Sequence, residues 1–237
     1  MTLRLLSGGA AQRLVQAVAP RFKAETDNAV EGTFGAVGVM REKLDAGAPA
    51  DLVILTAALI AQLEKDGKVV RGSARAIGIV PTGIAVRAQN PRPAIGTVDA
   101  VRDAFLAADG VYVPDMTQST AGIHVSKILE RMGIRGEVNA RLHEFPNGNT
   151  AMAALAKATG HPIGCTQVTE ILATSGIVLV GPLPEAVGLA TTYTAAVCAR
   201  ANAPDLARRL IEMLATAPER ARFGFSTQDR PPSTDKI

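Results

Sequence analysis

The chain has few aromatic side chains: Phe, Tyr and Trp together make up 3% of its 237 residues, and Trp is absent. Proteins that bind single-stranded nucleic acids stack bases on aromatic side chains, and this sequence cannot supply such a platform. The formal net charge is only +3, and the lysines and arginines are scattered rather than clustered. We therefore predict a mildly basic, solvated surface and no nucleic-acid partner.

Cysteine is also scarce. Cys165 and Cys198 stand far apart in apolar surroundings, and the sequence has neither a Cys-x-x-Cys pair nor a His/Cys spacing typical of a metal site. We expect both cysteines to be small buried residues, and we predict neither a metal nor a cofactor.

Long apolar runs are missing as well. No stretch of about 18 apolar residues occurs, so we predict no membrane insertion. The chain as given enters its first strand soon after Met1, without the charged segment and cleavage site of a secretory signal. Taken as written it is expected in the cytoplasm, and in the periplasm if a leader was removed.

Strands and helices alternate along most of the chain. The opening, Leu3–Leu14, reads as a short apolar strand that runs through Gly8 and Gly9 into a helix. Further strands are predicted near 28–34, 50–55, 76–88, 110–113, 138–145, 163–166, 177–180 and 191–199. Further helices are predicted near 37–46, 57–65, 97–108, 121–132, 149–159, 166–174 and 203–216, and the polar tail 227–237 is predicted to be loose. This alternation with short links indicates an α/β fold with parallel sheets.

Four loops with small or hydroxyl-bearing residues each open a helix. They are Gly8–Gly9, Thr33–Gly38, Thr117–Gly122 and Asn147–Thr150. A helix N-terminus leaves backbone N–H groups unpaired and carries about half a positive charge, so it attracts anions. If the four helix starts face one cleft, they would hold a small anionic solute.

Several segments, in order, resemble the molybdate-type substrate-binding proteins of ABC transporters, which have a type II periplasmic-binding-protein fold. The segments are the opening strand–Gly–helix, Thr33–Gly35, Ala46–Ile54, Thr120–Ile123, Pro162–Cys165 and Arg222–Phe225. The stretch Ala-Gly-Ala-Pro-Ala-Asp-Leu is the most specific, because it leads into the third strand at the family's usual place.

The resemblance implies a two-lobed α/β protein, in which each lobe is a mainly parallel sheet flanked by helices and the ligand lies in the cleft between them. One lobe would contain residues 1–81 and 193–237, and the other residues 82–192. The resemblance also implies an ABC permease as a partner.

The sequence departs from the resemblance at the oxyanion site. The family uses serine hydroxyls at the first two helix starts and a tyrosine from the far lobe, and these positions fall here on Ala10, Ala36 and near Gln167. Each lost hydrogen bond is worth about 0.5–1.5 kcal/mol, and more when the partner is charged. Molybdate and tungstate are therefore disfavoured, and we expect a larger organic anion such as a di- or tricarboxylate.

The candidate ligand contacts come from both lobes. Each type of residue also has an alternative role that involves no ligand. The glycines allow a tight turn, the hydroxyl groups cap a helix, and the asparagines form an ordinary turn. The candidates are Ser7, Gly8, Gly9, Ala10, Thr33, Gly35, Ala36, Thr56, Ser119, Thr120, Ala121, Asn147, Asn149 and Gln167.

Two functions stay open at this stage. The first is a receptor that binds a small anion, an organic carboxylate or an oxyanion, and passes it to a permease. The second is a cytoplasmic isomerase of an unsaturated carboxylate, since some proteins that resemble this family are isomerases such as aconitate isomerase. That chemistry needs an anion clamp and a base, and His124 is the candidate base because its free pKa lies near neutrality. We favour the receptor, because the base is not evident from the sequence.

Overall fold

The computed structural model describes residues 1–226, so the predicted loose tail lies outside the described part. The strands are β1 Thr2–Gly8, β2 Ala29–Gly35, β3 Leu52–Thr56, β4 Arg75–Arg87, β5 Val111–Pro114, β6 Leu142–Phe145, β7 Ile163–Gln167, β8 Ile177–Pro182 and β9 Ala190–Val197. The helices are α1 Gln12–Thr26, α2 Val37–Asp45, α3 Ala57–Lys65, α4 Val98–Ala107, α5 Thr120–Arg131, α6 Arg135–Asn139, α7 Gly148–Lys157, α8 Val168–Ala173 and α9 Pro204–Thr216. Short 3-10 helices lie at Gly9–Ala11, Glu185–Val187 and Pro218–Phe223.

The first three strands form a parallel sheet. β1 lies between β2 and β3, so that Leu5 is opposite Gly32 on one side and Leu52 on the other. Helix α1 packs on this sheet with the apolar face that its 3.6-residue spacing predicts. The buried residues of that face are Leu14, Val15, Val18 and Phe22.

Strand β4 connects the two halves of the molecule. Its first part, Arg75–Pro81, pairs with β9, and its second part, Thr82–Arg87, pairs with β7 and β8. All of these pairs are antiparallel, whereas β5 pairs in parallel with both β6 and β7. The sheet order is β2-β1-β3-β9-β4-β7-β5-β6, with β8 also on β4. The outer strands of each half thus pair in parallel, whereas β4, β8 and β9 pair antiparallel with their neighbours.

Two large hydrophobic cores divide the chain. The first, which includes Phe22 and Leu210, lies around β1–β3, β9, α1 and α9. We define lobe I as these elements together with the first part of β4. The second, which includes Phe105 and Leu129, lies around β5, α4 and α5, with a smaller cluster beneath α7; we call this part lobe II. The predicted lobe boundaries at residues 81 and 192 stay a prediction.

One predicted element is wrong in part. The sequence suggested a strand over residues 138–145, but residues 135–139 form α6 and the strand begins only at Leu142. Ile134 and Val138 stand four residues apart and are both fully buried in the core of lobe II. That spacing places them on one helical face, so tertiary packing overrides the strand preference of valine.

Both cysteines are buried and free, as predicted. Burial raises the pKa of each thiol to about 12, so neither thiol is poised to react. None of the helices within residues 1–226 has both the length and the apolar character that a bilayer crossing requires.

Candidate functional site

A cavity of about 570 Å³ lies between the lobes. Lobe I contributes the starts of α2 and α3 together with β9, and lobe II contributes the first turns of α5 and the loop that precedes them. The lining residues are Val37, Gly38, Thr56, Ala57, Ala58, Leu59, Thr117, Gln118, Thr120, Ile123, His124, Lys127, Leu189, Ala190, Thr191 and Thr192.

The polar side chains of this cavity are five threonine hydroxyls, the Gln118 amide, the His124 imidazole and the Lys127 ammonium group. Thr56, Thr117, Thr120, Thr191 and Thr192 all line it. The Thr56 hydroxyl also caps α3 by accepting a hydrogen bond from the Leu59 N–H at 3.3 Å. Lys127 is the one charged lining residue within the described part of the chain, and no acidic side chain lies among the lining residues there. The wall is therefore suited to an anion.

His124 is held in one orientation within the cavity wall. Its Nε2 lies 2.8 Å from the carbonyl oxygen of Val187. A carbonyl only accepts, so Nε2 carries the hydrogen, and a neutral ring then keeps the lone pair of Nδ1. Burial lowers the pKa of His124, the Val187 carbonyl raises it, and the charge of Lys127 lowers it further, with a net decrease. The neutral imidazole therefore predominates at pH 7.

The lobes touch where α2 and α5 begin. The N–H of Gly38 in lobe I donates to the backbone oxygen of Gln118 in lobe II at 3.0 Å. The Gln118 side chain donates back to Glu42 at 2.7 Å. Two of the predicted helix starts therefore meet directly across the cleft.

The other two helix starts meet at a second interlobe contact. The Asn149 amide, in α7, donates to the carbonyl oxygen of Gly9 at 3.3 Å and to the Gln12 side chain at 3.1 Å. Asn147 accepts from the Thr150 N–H at 3.0 Å in a reciprocal capping box. Its side chain thus stabilises the helix start without a ligand.

Unpartnered polar atoms lie behind the cavity. Gln167 donates from Nε2 to the hydroxyl of Thr191, a lining residue, at 3.4 Å. Its Oε1 is buried and has no hydrogen-bond partner among residues 1–226, and the same is true of the hydroxyl of Thr82, which pairs with Gln167 across the sheet. Buried polar atoms are normally satisfied, so these two mark a place where a ligand or water would be stabilised.

Sequence reasoning missed Glu170, a buried carboxyl near the second interlobe contact. It is 5% exposed, and its Oε2 accepts from the Thr166 hydroxyl at 2.5 Å. Burial raises its pKa to about 7, although the hydrogen bonds from Thr166 and the Gln167 backbone oppose that shift. The available signal was an acidic residue in the first turn of a short helix that directly follows the strand Ile163–Gln167.

The predicted site residues fall into three groups. Thr56 and Thr120 line the cavity, as does the candidate base His124. Ser7 is buried with its hydroxyl on the Gly8 carbonyl oxygen at 2.9 Å, and Thr33 is exposed on the edge strand β2. The remaining predicted residues do not line the cavity: Gly8, Gly9, Ala10, Gly35, Ala36, Ser119, Ala121, Asn147, Asn149 and Gln167. As ligand contacts all of them stay predictions.

Lys127 and the threonines of β9 are lining residues that the sequence analysis did not select. Lys127 follows His124 by three positions on a helix, so both side chains lie on one face, and this spacing was a usable signal. Thr191 and Thr192 lie at the start of β9, next to the predicted return of the chain to lobe I, and that position was a usable signal.

A family model described as bacterial extracellular solute-binding protein matches residues 3–224. The chain belongs to this family. A similar curated protein is the aconitate isomerase of Pseudomonas sp, which is 28% identical over 221 residues, or 91% of this chain and 82% of the relative.

Solved structures show the same fold. The periplasmic molybdate-binding protein of Azotobacter vinelandii superposes with a TM-score of 0.78 at 15% identity, over 94% of this chain and 98% of that one. The sulfate-binding protein SubI of Mycobacterium tuberculosis superposes with a TM-score of 0.76 at 19% identity, over 97% and 88%. These likenesses confirm the predicted two-lobed α/β fold, and the family model confirms that the chain is a solute-binding protein.

Proposed function

We propose that this solute-binding protein binds a small organic carboxylate in the cavity between its lobes. The observation that carries the proposal is the charge of the cavity wall: Lys127 and five threonines face the space, and no acidic residue joins them within the described part of the chain. Hydroxyls and an ammonium group donate hydrogen bonds to carboxylate oxygens, and such charge-assisted bonds are the stronger kind.

The size and lining of the cavity favour an organic anion over an inorganic one. About 570 Å³ lies within the range of about 300–1,000 Å³ that organic ligands occupy. A tetrahedral oxyanion of five heavy atoms would leave most of a cavity of this size unfilled. Val37, Leu59 and Ile123 also offer apolar contact to a carbon skeleton.

The comparisons support an anionic ligand, and one of them supports an organic carboxylate. The two solved structures are named for binding molybdate and sulfate, and the curated relative is named for aconitate, an unsaturated tricarboxylate. The relative aligns with 91% of this chain. We therefore take tricarboxylates as the first ligands to test.

Calorimetric titration tests this proposal. We expect trans-aconitate, cis-aconitate or citrate to bind and molybdate and sulfate not to. Lys127→Met should weaken carboxylate binding by about three- to tenfold, because Lys127 is exposed and solvent screens part of its charge. Lys157→Met, which removes an exposed lysine outside the cavity, is the matched control. Sub-micromolar binding of molybdate, or no effect of Lys127→Met, would contradict the proposal.

We further infer that the protein serves an ABC permease and acts outside the cytoplasmic membrane. The family's description as extracellular supports the periplasm over the cytoplasm, the other location that the sequence suggested. Fractionation of cells that express the native gene, together with co-purification of a permease in a mild detergent, would test both points.

A second candidate function is isomerisation of an unsaturated carboxylate in the same cavity. The geometry of His124 favours it, because the Val187 carbonyl fixes the hydrogen on Nε2 and leaves Nδ1 as the basic atom. In such a step Nδ1 takes the proton of a C–H bond beside a double bond. The electron pair of that bond then spreads over the allylic carbons and the attached carboxylate. Nδ1 then gives a proton to the far carbon, so that the double bond moves.

Proton NMR of trans-aconitate in deuterated water separates the two functions. An isomerase forms the cis isomer and exchanges the migrating proton for deuterium, whereas a receptor leaves the solute unchanged. If catalysis occurs, His124→Ala should abolish turnover and barely alter the affinity. Turnover that survives in His124→Ala would exclude His124 as the base.

A further inference from the structure

The carboxyl group of Glu170 is enclosed by both lobes. From lobe I, the Gly9–Ala11 turn packs on it so closely that a Cβ atom at Gly9 would lie 2.7 Å from Oε1. From lobe II, a Cβ atom at Gly148 would overlap Oε2. The Gly9 turn of lobe I is therefore one wall of the Glu170 site, and Gly148 and Thr166 of lobe II form another.

No cation neutralises this carboxyl among residues 1–226. The β7 strand presents the Thr166 hydroxyl, and α7 presents Gly148 and the Asn149 amide. The titratable neighbour from β9 is Tyr193, whose pKa is raised by burial and by the charge of Glu170. Arg13 of α1 is directed elsewhere, to the carbonyl oxygen of Leu172 and to the ring of Phe223, whose centroid lies 5.0 Å from its guanidinium carbon.

A buried carboxyl with no cation is more stable when protonated, because the charged form loses its hydration. In the closed arrangement burial raises the pKa of Glu170 to about 7. When the Gly9 turn moves away, water reaches one face of the carboxyl, and the pKa falls toward the ordinary value of about 4.3.

We propose that Glu170 takes up one proton from solvent when the lobes close over a solute and releases it when they open, so that a proton is a second ligand of the closed form. The proton bonds to one carboxyl oxygen, and no other bond changes. The proposal rests on the proposed function in that a solute adds to the stability of the closed form, but the site itself lies outside the solute cavity.

The first test needs no solute. Carbon-13 NMR of the glutamate carboxyls follows each ionisation, and Glu170→Gln assigns the signal by its loss. In the wild type without solute, where open and closed arrangements are in equilibrium, we expect the Glu170 carboxyl to titrate between the ordinary value of about 4.3 and the value of about 7 of the closed arrangement. In Gly9→Ala, whose methyl group crowds the Glu170 carboxyl and the Asn149 amide, we expect a lower midpoint. A wild-type midpoint near 4.3, or the same midpoint in both proteins, would overturn the proposal.

Small-angle X-ray scattering gives a second readout that does not depend on Gly9→Ala folding well. The radius of gyration of the ligand-free wild type should increase between about pH 5.5 and pH 8.5, as ionisation of Glu170 opens the lobes. Glu170→Gln is always neutral and should stay closed at both values. Equal pH dependence in the two proteins would exclude Glu170 as the cause.

A third test measures solute binding, with trans-aconitate as the solute. Calorimetry at about pH 6, in buffers of different ionisation enthalpy, should show a net proton uptake by the wild type that Glu170→Gln lacks. The affinity of the wild type relative to Glu170→Gln should fall as the pH rises from about 5 to 7, by at most about tenfold per pH unit. Equal proton uptake by the two proteins would overturn the proposal. If trans-aconitate does not bind, that result counts against the proposed ligand, while the NMR and scattering measurements still decide the role of Glu170.

Discussion

Glu170 also predicts how the free energy of unfolding depends on pH. In the folded closed protein the pKa of its carboxyl is about 7, against a model value of 4.5. The folded state therefore binds more protons than the unfolded state between these values. Stability from this group is complete below about pH 4.5 and is lost as the pH rises through 7.

The magnitude follows from the difference of about 2.5 pH units between the two pKa values. At about 1.36 kcal/mol per unit, the carboxyl destabilises a wild type that stays closed by about 3 kcal/mol between pH 4.5 and pH 7.5, and opening of the lobes makes the measured decrease smaller than this. Glu170→Gln keeps the shape of the side chain and cannot ionise. It should therefore lack this decrease and be the more stable protein at neutral pH.

Urea denaturation of both proteins at intervals from about pH 4.5 to pH 8 measures the effect. Other titrating groups act equally on wild type and variant, so the difference between their free energies of unfolding isolates Glu170. The reasoning is refuted if this difference is constant across the range, or if Glu170→Gln becomes less stable relative to the wild type as the pH rises.

Two further substitutions test the contacts between and within the lobes. Gly148→Ala should destabilise the protein by about 1–3 kcal/mol in urea denaturation, because the added methyl group overlaps Glu170. Combining it with Glu170→Ala should cost less than the sum of the two single changes, and strict additivity would show that the carboxyl is not the obstacle. Gln118→Ala removes the hydrogen bond to Glu42 across the cleft. Stopped-flow measurement should then show trans-aconitate leaving several-fold faster, and an unchanged dissociation rate would mean that this contact does not hold the lobes closed.

The regular elements were predictable because their patterns are local. Helix α3 has the predicted bounds, Ala57–Lys65, since Thr56 caps its start and apolar residues recur along one face. The strand before it is an uninterrupted apolar run, which is typical of a strand buried on both faces. Such signals need no knowledge of distant residues.

The site was harder to predict because it depends on which faces meet. Glu170 reads in sequence as a solvated helix residue, and it is buried because Gly9 and Gly148, both distant along the chain, pack against its carboxyl group. Thr33 was selected for its place before a helix, but it is exposed on the edge strand β2. Lys127 was overlooked because a lysine on a helix is normally solvated.

The antiparallel insertion of β9 between β3 and β4 sets the order in which the protein is completed during synthesis. Leu52 pairs with Val197, so the sheet of lobe I lacks a central strand until nearly the whole chain has left the ribosome. The strands and helices of lobe II emerge earlier and as one continuous segment. We therefore expect lobe II to fold first in the nascent chain, while the edges of β3 and β4 stay unpaired until β9 is synthesised.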